Sequence, residues 1–244
     1  MSGRNTKKYT PILLAVLVLA IALTAWMVLA GRVFIIKTVS VVGNGSVAAE
    51  DAIRYAQIPI GKSMYALDES AVAHAVDASG RLAFVSLEKD YPDTVVLTVR
   101  ERSRDILIEN AGKVLVLDSE GYMVERLDAV PEESAVYVTG LSVQNYLPGA
   151  KIGADGRRLA AMTSVIQALQ AAEADDLISE LSVADTEQLY LYSRTGIKVM
   201  LGNTAELDVK VQLMKGALLD LEGRGETRGR LDVSSGNKAD FRIE

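Results

Sequence analysis

A run of twenty uncharged, mostly apolar residues near the N-terminus constrains this chain more than any other feature of its sequence. It extends from Pro11 to Ala30 and reads PILLAVLVLAIALTAWMVLA. At a rise of about 1.5 Å per residue, a helix of this length spans about 30 Å, the thickness of the hydrocarbon core of a bilayer. Only a helix satisfies its own backbone hydrogen bonds in that medium. We therefore expect one transmembrane helix over residues 11–30.

The flanks of this run indicate its orientation. Residues 1–10 hold three cations and no acid, whereas the segment that follows has Arg32 and Lys37 and then acidic residues. Because cytoplasmic flanks are enriched in Lys and Arg, we expect a cytoplasmic tail over residues 1–10 and an extracytoplasmic remainder. The alternative is a signal peptide cleaved after Ala30. The apolar part of such peptides is only about 7–15 residues long, so a retained anchor is favoured.

Composition excludes several classes of function. Of 244 residues, 49% are apolar and 24% are charged, which is typical of a chain with a packed core. The net charge is −6, so nucleic acid is not an expected partner. The chain has no cysteine and a single histidine, His74. Without cysteine, thiolate metal sites are excluded, and a single histidine leaves few ways to build a transition-metal site or a His-based triad. We therefore expect neither a metal site nor a cofactor.

The segment after the apolar run predicts elements in the order β-α-α-β-β. Residues 35–42 alternate between apolar and polar side chains, as a half-buried strand does. Ser46 and Asp68 are predicted N-caps of two short helices, each with acidic residues near the first turn. Tyr91-Pro92-Asp93 is predicted to turn a hairpin between two alternating strands.

One motif in this segment suggests a nucleotide site. Gly43-Asn44-Gly45-Ser46-Val47-Ala48 has the form GxGxxA between a strand and a helix, as in dinucleotide-binding folds. A strand of such a fold is buried on both faces and is continuously apolar, whereas residues 35–42 alternate. We therefore interpret these glycines as a tight turn.

The rest of the chain predicts a β-rich domain with two helices. Its apolar residues alternate in short runs separated by Gly-containing turns, and two longer runs have helical spacing. The predicted strands are 106–109, 113–117, 122–126, 178–183, 189–193, 197–201, 229–233 and 241–243, and the predicted helices are 155–172 and 207–221.

Several segments of the chain, taken in order, resemble a known family. VSVVGNGSVAAEDAI at 39–53, IPIGKSMYALD at 58–68 and the more specific PDTVVLTVRER at 92–102 are followed by LVLDSEG at 115–121 and LDV at 231–233. Their order after one membrane anchor is similar to that in the FtsQ/DivIB bacterial cell-division family, and the resemblance covers nearly the whole chain. Residues 234–242 depart from the form seen in Gram-negative members.

The resemblance implies the fold and the function. It implies an α+β chain with a single N-terminal transmembrane helix, a POTRA domain over residues 31–103 and an FtsQ/DivIB-type β domain over residues 104–244. It also implies a non-enzymatic divisome scaffold in the cell membrane at the division septum. Such a scaffold binds FtsL-like and FtsB/DivIC-like single-span proteins, with the septal peptidoglycan synthase as a further partner, and helps control septal peptidoglycan synthesis.

Partner binding by such a domain is expected at a sheet edge. An edge strand leaves N–H and C=O groups that a partner strand can pair with. The expected receiving edge consists of Gly229, Arg230, Leu231, Asp232, Val233 and Ser234. The alternative is that this edge is solvated or covered by residues 241–243.

Catalysis is not expected. Three pairs of adjacent carboxylates lie beside turns or helix starts: Glu50-Asp51, Glu132-Glu133 and Asp175-Asp176. We interpret them as solvent-exposed surface residues and not as acid–base catalysts. No GxSxG or HExxH motif is present. Two alternative functions remain: a POTRA-type module that assists membrane-protein assembly or secretion, and a cell-envelope hydrolase.

Overall fold

The computed structural model describes residues 6–131 and 135–243, and within the first helix it describes the side chains of residues 12–27. That helix, α1, spans Thr6–Val33. Across the described residues, no helix reaches the length and apolar character that a membrane crossing requires. The predicted span of residues 11–30 includes positions 11 and 28–30, which lie outside the described side chains. Residues 1–5 and the predicted surface pair Glu132-Glu133 also lie outside the described part.

The chain divides into two compact units. One comprises Met1–Val76 and Phe84–Arg100, and the other comprises Asp77–Ala83 and Glu101–Glu244. The fold is α+β, as predicted.

The elements that follow α1 have the predicted order β-α-α-β-β. The three strands form one sheet in which β1 lies beside β3 and parallel to it, from Thr38 opposite Thr94 to Val42 opposite Thr98. The elements are β1 (Thr38–Val42), α2 (Ala49–Ala56), a 3₁₀ turn (Met64–Ala66), α3 (Glu69–Asp77), β2 (Leu82–Asp90) and β3 (Thr94–Glu101).

The two short helices start differently. Asp68 caps α3 as predicted, since its Oδ1 accepts the backbone N–H of Ser70 at 2.9 Å. The predicted cap of α2 at Ser46 is wrong. A turn closed by the Val47 N–H on the Asn44 carbonyl, at 3.0 Å, places Ala48 at the N-cap position, without a side-chain hydrogen bond.

Gly43 supports the interpretation of GxGxxA as a turn. Its φ is +80°, and a Cβ there would lie 2.1 Å from the carbonyl oxygen of Val99 on β3. Only glycine tolerates both the positive φ and this close approach. The glycine is thus explained by backbone packing.

The second unit is built on a nine-stranded sheet of order β12-β11-β10-β9-β8-β7-β4-β5-β6. Two helices complete it, and each lies within two residues of its predicted bounds. The elements are β4 (Ile106–Asn110), β5 (Lys113–Leu117), β6 (Met123–Leu127), β7 (Val136–Thr139), α4 (Gly156–Ala171), a 3₁₀ turn (Asp175–Leu177), β8 (Ile178–Ser182), β9 (Leu189–Ser193), β10 (Lys198–Gly202), α5 (Leu207–Gly223), β11 (Arg230–Asp232) and β12 (Asp240–Arg242).

The core of this unit lies between the sheet and its two helices. Apolar side chains of α4 and α5 form one cluster with alternate residues of the strands. Met162 and Met214, for example, are fully buried together with Leu191 and Val199. Because strand side chains alternate between faces, the intervening residues of β9 to β12 lie on the face opposite the helices.

Candidate partner-binding surface

The strand predicted to be a free edge lies inside the sheet. β11 pairs in parallel with β10 on one side and antiparallel with β12 on the other. Residues 229–234 are therefore not the free edge that the sequence predicts. The alternative expectation holds, because β12, at residues 240–242, covers that edge, and the free edge lies one strand further out. Within the described residues, β12 is the edge strand at this end of the sheet. Whether this end of the sheet receives a partner stays a prediction.

The six predicted residues divide between the two faces of the sheet. Leu231 and Val233 are buried in the core. Arg230 and Asp232 point to the opposite face, as alternation requires. The hydroxyl and the backbone N–H of Ser234 both donate to Asp232 Oδ1, at 2.7 and 3.0 Å.

Gly229 lets β12 approach closely. Its φ is +145°, and a Cβ there would lie 2.6 Å from both the carbonyl oxygen of Arg242 and an edge atom of the Phe241 ring. No other residue could occupy this position without displacing β12. The edge strand therefore depends on a glycine in the loop before β11.

The direction of the backbone groups identifies what β12 offers. The Lys198 N–H donates to the Gly229 carbonyl and the Val233 N–H donates to the Met200 carbonyl, both at 3.0 Å, so residues 229, 231 and 233 direct their backbone groups toward β10. The intervening residues Arg230 and Asp232 therefore pair with β12, opposite Arg242 and Asp240. By the same alternation, the N–H and C=O of Phe241 point away from β11, toward the open edge. The next outward-directed groups along the chain belong to Ile243, whose side chain is exposed.

The face of the sheet opposite the helices carries aromatic and cationic side chains. The rings of Tyr190 and Tyr192 meet edge to face at 5.8 Å, and Lys198 Nζ lies 4.2 Å from the centre of the Tyr190 ring. Such cation–π contacts contribute about 0.5–1 kcal/mol at exposed sites. A shallow cavity of about 460 Å³ lies beside them, lined by Tyr192, Gly196, Lys198, Met200, Arg228, Gly229 and Arg230.

Opposite charges alternate along the last two strands. Arg230, Asp232, Asp240 and Arg242 line a second cavity of about 230 Å³. The pKa of the Asp232 carboxyl is lowered, chiefly by the hydrogen bond from the Ser234 hydroxyl and further by the Ser234 N–H and the nearby Arg230 and Arg242, while partial burial opposes the shift. This surface thus presents both guanidinium and carboxylate groups to the side chains of a neighbouring strand.

His74 and two of the carboxylate pairs lie on short helices and a 3₁₀ turn. His74 is exposed on α3, and Asp51 pairs with Arg54 at 2.6 Å on α2. Asp175 and Asp176 belong to a 3₁₀ turn. Among the described residues, no group of three His, Asp or Glu side chains could hold a metal ion.

The open face at Tyr190, Tyr192 and Lys198 was missed by the sequence analysis. Its signal is present in the alternation of β9, where tyrosines occupy the positions between buried leucines. The parallel pairing of β10 with β11 brings Arg230 opposite Lys198, and local patterns do not reveal that pairing.

Comparisons with known proteins identify what the chain is similar to. A family model described as POTRA domain, FtsQ-type, matches residues 34–102. The cell division protein DivIB of Clostridium tetani is 25% identical over 211 residues, which cover 85% of this chain and 79% of the relative. The cell division protein FtsQ of Myxococcus fulvus is 25% identical over 204 residues, which cover 84% of this chain and 70% of the relative. The predicted resemblance to the FtsQ/DivIB family is confirmed.

Two further matches cover less of the chain. FtsQ of Streptomyces bingchenggensis is 27% identical over 108 residues, or 44% of this chain and 41% of the relative. The solved extracytoplasmic domain of DivIB from Geobacillus stearothermophilus aligns with 49% of this chain and 95% of its own length, at 20% identity and a TM-score of 0.34.

Proposed function

We propose that this relative of the FtsQ/DivIB cell division proteins is a membrane-anchored, non-enzymatic scaffold of the division machinery. The observation that carries the proposal is the FtsQ-type POTRA match at residues 34–102, which lies within an alignment to a division protein that covers 85% of the chain. In this proposal residues 1–10 form the cytoplasmic tail, 11–30 the anchor, 31–103 the POTRA domain and 104–244 the β domain.

The character of α1 supports the anchor. The large apolar side chains described between Ile12 and Met27 are 57–76% exposed, and none of the residues between them is charged. A helix that is apolar on all sides is stable only inside a core or a bilayer. Since these side chains meet no core, the bilayer is the environment that would bury them, and at 25 cal/mol per Å² such burial is strongly favourable.

The free edge of β12 supports binding through an added strand. We propose that an FtsL-like or FtsB/DivIC-like single-span partner pairs with the outward N–H and C=O of Phe241 and with those of Ile243. The alternating Arg and Asp side chains at 230, 232, 240 and 242 would then select the partner by charge. Main-chain hydrogen bonds supply the affinity in such complexes, and side chains supply the specificity.

A pair of substitutions at Ile243 tests this binding mode. Ile243→Pro removes an outward N–H donor, whereas Ile243→Ala keeps the donor and removes only an exposed side chain. We expect the proline variant to lose at least tenfold in affinity for the co-purified single-span partners and the alanine variant to lose less than threefold. Circular dichroism and the melting temperature should match between the two. Equal affinity in both variants would exclude the β12 edge.

The division role itself is tested in cells. A fluorescent fusion of the full chain should concentrate at midcell, and purification from membranes should recover division proteins. Recovery of outer-envelope assembly factors with uniform membrane fluorescence would instead support a POTRA-type module for membrane-protein assembly. Turnover of a cell-wall substrate by the purified chain would support the hydrolase alternative.

A further inference from the structure

Three segments of the first unit converge where the chain leaves α1. The Met64 N–H donates to the Phe34 carbonyl at 2.9 Å, directly after the last residue of α1. The Lys37 N–H donates to the Asp93 carbonyl at 2.9 Å, and Lys37 Nζ lies 2.9 Å from Asp93 Oδ2. These bonds hold the loop before α3 and the β2–β3 turn beside the segment that emerges from α1.

The convergence assembles an aromatic cap, which we define as Phe34, Tyr65 and Tyr91. The Phe34 ring meets Tyr65 and Tyr91 edge to face at 5.6 and 5.5 Å, and the two tyrosines are 6.2 Å apart. Tyr65 is 59% exposed and Tyr91 is 51% exposed, and Ile60, five residues before Tyr65 in the chain, is 60% exposed. The cap is therefore an ordered apolar surface that no described residue covers fully.

The position of the cap follows from the proposed anchor. α1 continues for three residues beyond Ala30, so at about 1.5 Å per residue Phe34 lies about 6 Å past the end of the predicted hydrocarbon span. The headgroup layer on each side of the hydrocarbon core is about 5–8 Å thick. Phe34 therefore lies at the depth of the headgroups. The rings of Tyr65 and Tyr91 both contact the Phe34 ring and so lie close to that depth.

We propose that the aromatic cap and Ile60 dock into the headgroup layer of the leaflet from which α1 emerges. This inference rests on the proposed membrane anchor. Tyrosine is enriched at membrane interfaces because its ring is apolar and its hydroxyl is hydrated. The exposed Lys62 adjoins the same loop and adds a cation, while Lys37 is paired with Asp93. The aromatic and aliphatic groups would thus bind lipid of any headgroup charge, with Lys62 adding to binding on anionic lipid.

Docking of this kind would fix the tilt of the first unit on the membrane. A single helix leaves a folded domain free to rotate about its exit point, whereas a second contact restricts that rotation. For a scaffold whose partners are single-span proteins, a fixed tilt would keep the first unit at a constant height above the bilayer.

The absence of cysteine and the single tryptophan make the test direct. The full chain with Ile60→Cys is labelled with an environment-sensitive fluorophore and reconstituted in phosphatidylcholine nanodiscs. A nitroxide on the lipid headgroup quenches fluorophores at that depth. Val85→Cys is the matched control, because Val85 is 56% exposed on β2 and lies six residues, about 20 Å along the strand, from Tyr91.

We expect the label at position 60 to lose at least half of its fluorescence and the label at 85 to lose less than a tenth. Adding Tyr65→Ser should reduce the quenching at position 60 at least twofold, since it removes an exposed part of the cap. Equal quenching at 60 and 85, or no effect of Tyr65→Ser, would overturn the proposed docking.

Trp26 separates this proposal from the anchor on which it rests. A nitroxide on the lipid acyl chain should quench Trp26, the only tryptophan, if α1 spans the bilayer. Quenched Trp26 with an unquenched label at 60 would refute the docking and keep the anchor. Unquenched Trp26 would refute the anchor itself.

Discussion

Replacing Asp118 by alanine should destabilise the second unit by about 3–5 kcal/mol, because it leaves a buried guanidinium without its main counter-charge. Arg102 Nη1 donates to Asp118 Oδ2 at 2.7 Å, and the two side chains are only 4% and 1% exposed. The Arg102 guanidinium also lies 4.4 Å from the centre of the Tyr122 ring. Both charged groups are therefore almost completely removed from bulk water.

The other contacts of these two residues set the magnitude. Asp118 Oδ1 accepts the N–H groups of Glu120 and Tyr122, at 3.1 and 2.9 Å, so alanine removes two further hydrogen bonds of about 0.5–1.5 kcal/mol each. Asp77, 3.5 Å from Arg102 Nη2, is 40% exposed, and pairs of that kind contribute about 0–1 kcal/mol. Asp77→Asn should therefore cost less than about 1 kcal/mol.

Urea unfolding of the full chain in detergent, followed by circular dichroism, measures both variants. The double variant Arg102→Met with Asp118→Leu should regain most of the stability, since apolar groups of similar size need no counter-charge. A loss below 1 kcal/mol for Asp118→Ala, or an equal loss for Asp77→Asn, would refute the assignment of Asp118 as the main partner of Arg102.

Two further predictions use the glycines and the titration of the last strands. Gly149→Ala should lower the free energy of unfolding, measured in urea, by several kcal/mol more than Gly112→Ala does. Both glycines have a φ of +74°, but only at Gly149 would a Cβ lie 1.6 Å from a backbone oxygen, that of Asp77. Equal losses would mean that backbone strain and not the close approach sets the cost. Ser234→Ala should raise the pKa of Asp232 toward its ordinary value, measured by carboxyl ¹³C NMR titration. Because the pKa of Asp232 is lower in the folded state, ionised Asp232 stabilises the fold at pH values above its unfolded pKa of about 3.9. This stabilisation is lost as the pH falls through the folded pKa. The Ser234→Ala variant should therefore lack this contribution at neutral pH.

Local patterns predicted most elements of the fold. Alternation and turn residues placed eight strands of the second unit within one or two residues, and helical spacing located α4 and α5. These signals succeed because side-chain periodicity reports which face of an element is buried, whatever that element packs against.

β7 shows where such patterns fail. Its four residues, Val136–Thr139, alternate, but the run is too short to stand out. It pairs in parallel with β4 and with β8, and both partners are distant in sequence. Without it the strands before and after α4 would form two sheets and not one.

The sequence by itself determined the apolar N-terminal run, the type of nearly every element and the family resemblance, because each depends on residues close together in the chain. Only the tertiary structure decided that β12 and not β11 is the edge, that Lys198 meets the tyrosines of β9, and that Phe34, Tyr65 and Tyr91 form one cap. The physical reason is that edges and clusters arise from pairings between distant segments. Their register is set by packing of the whole sheet and its helices, which no local periodicity encodes.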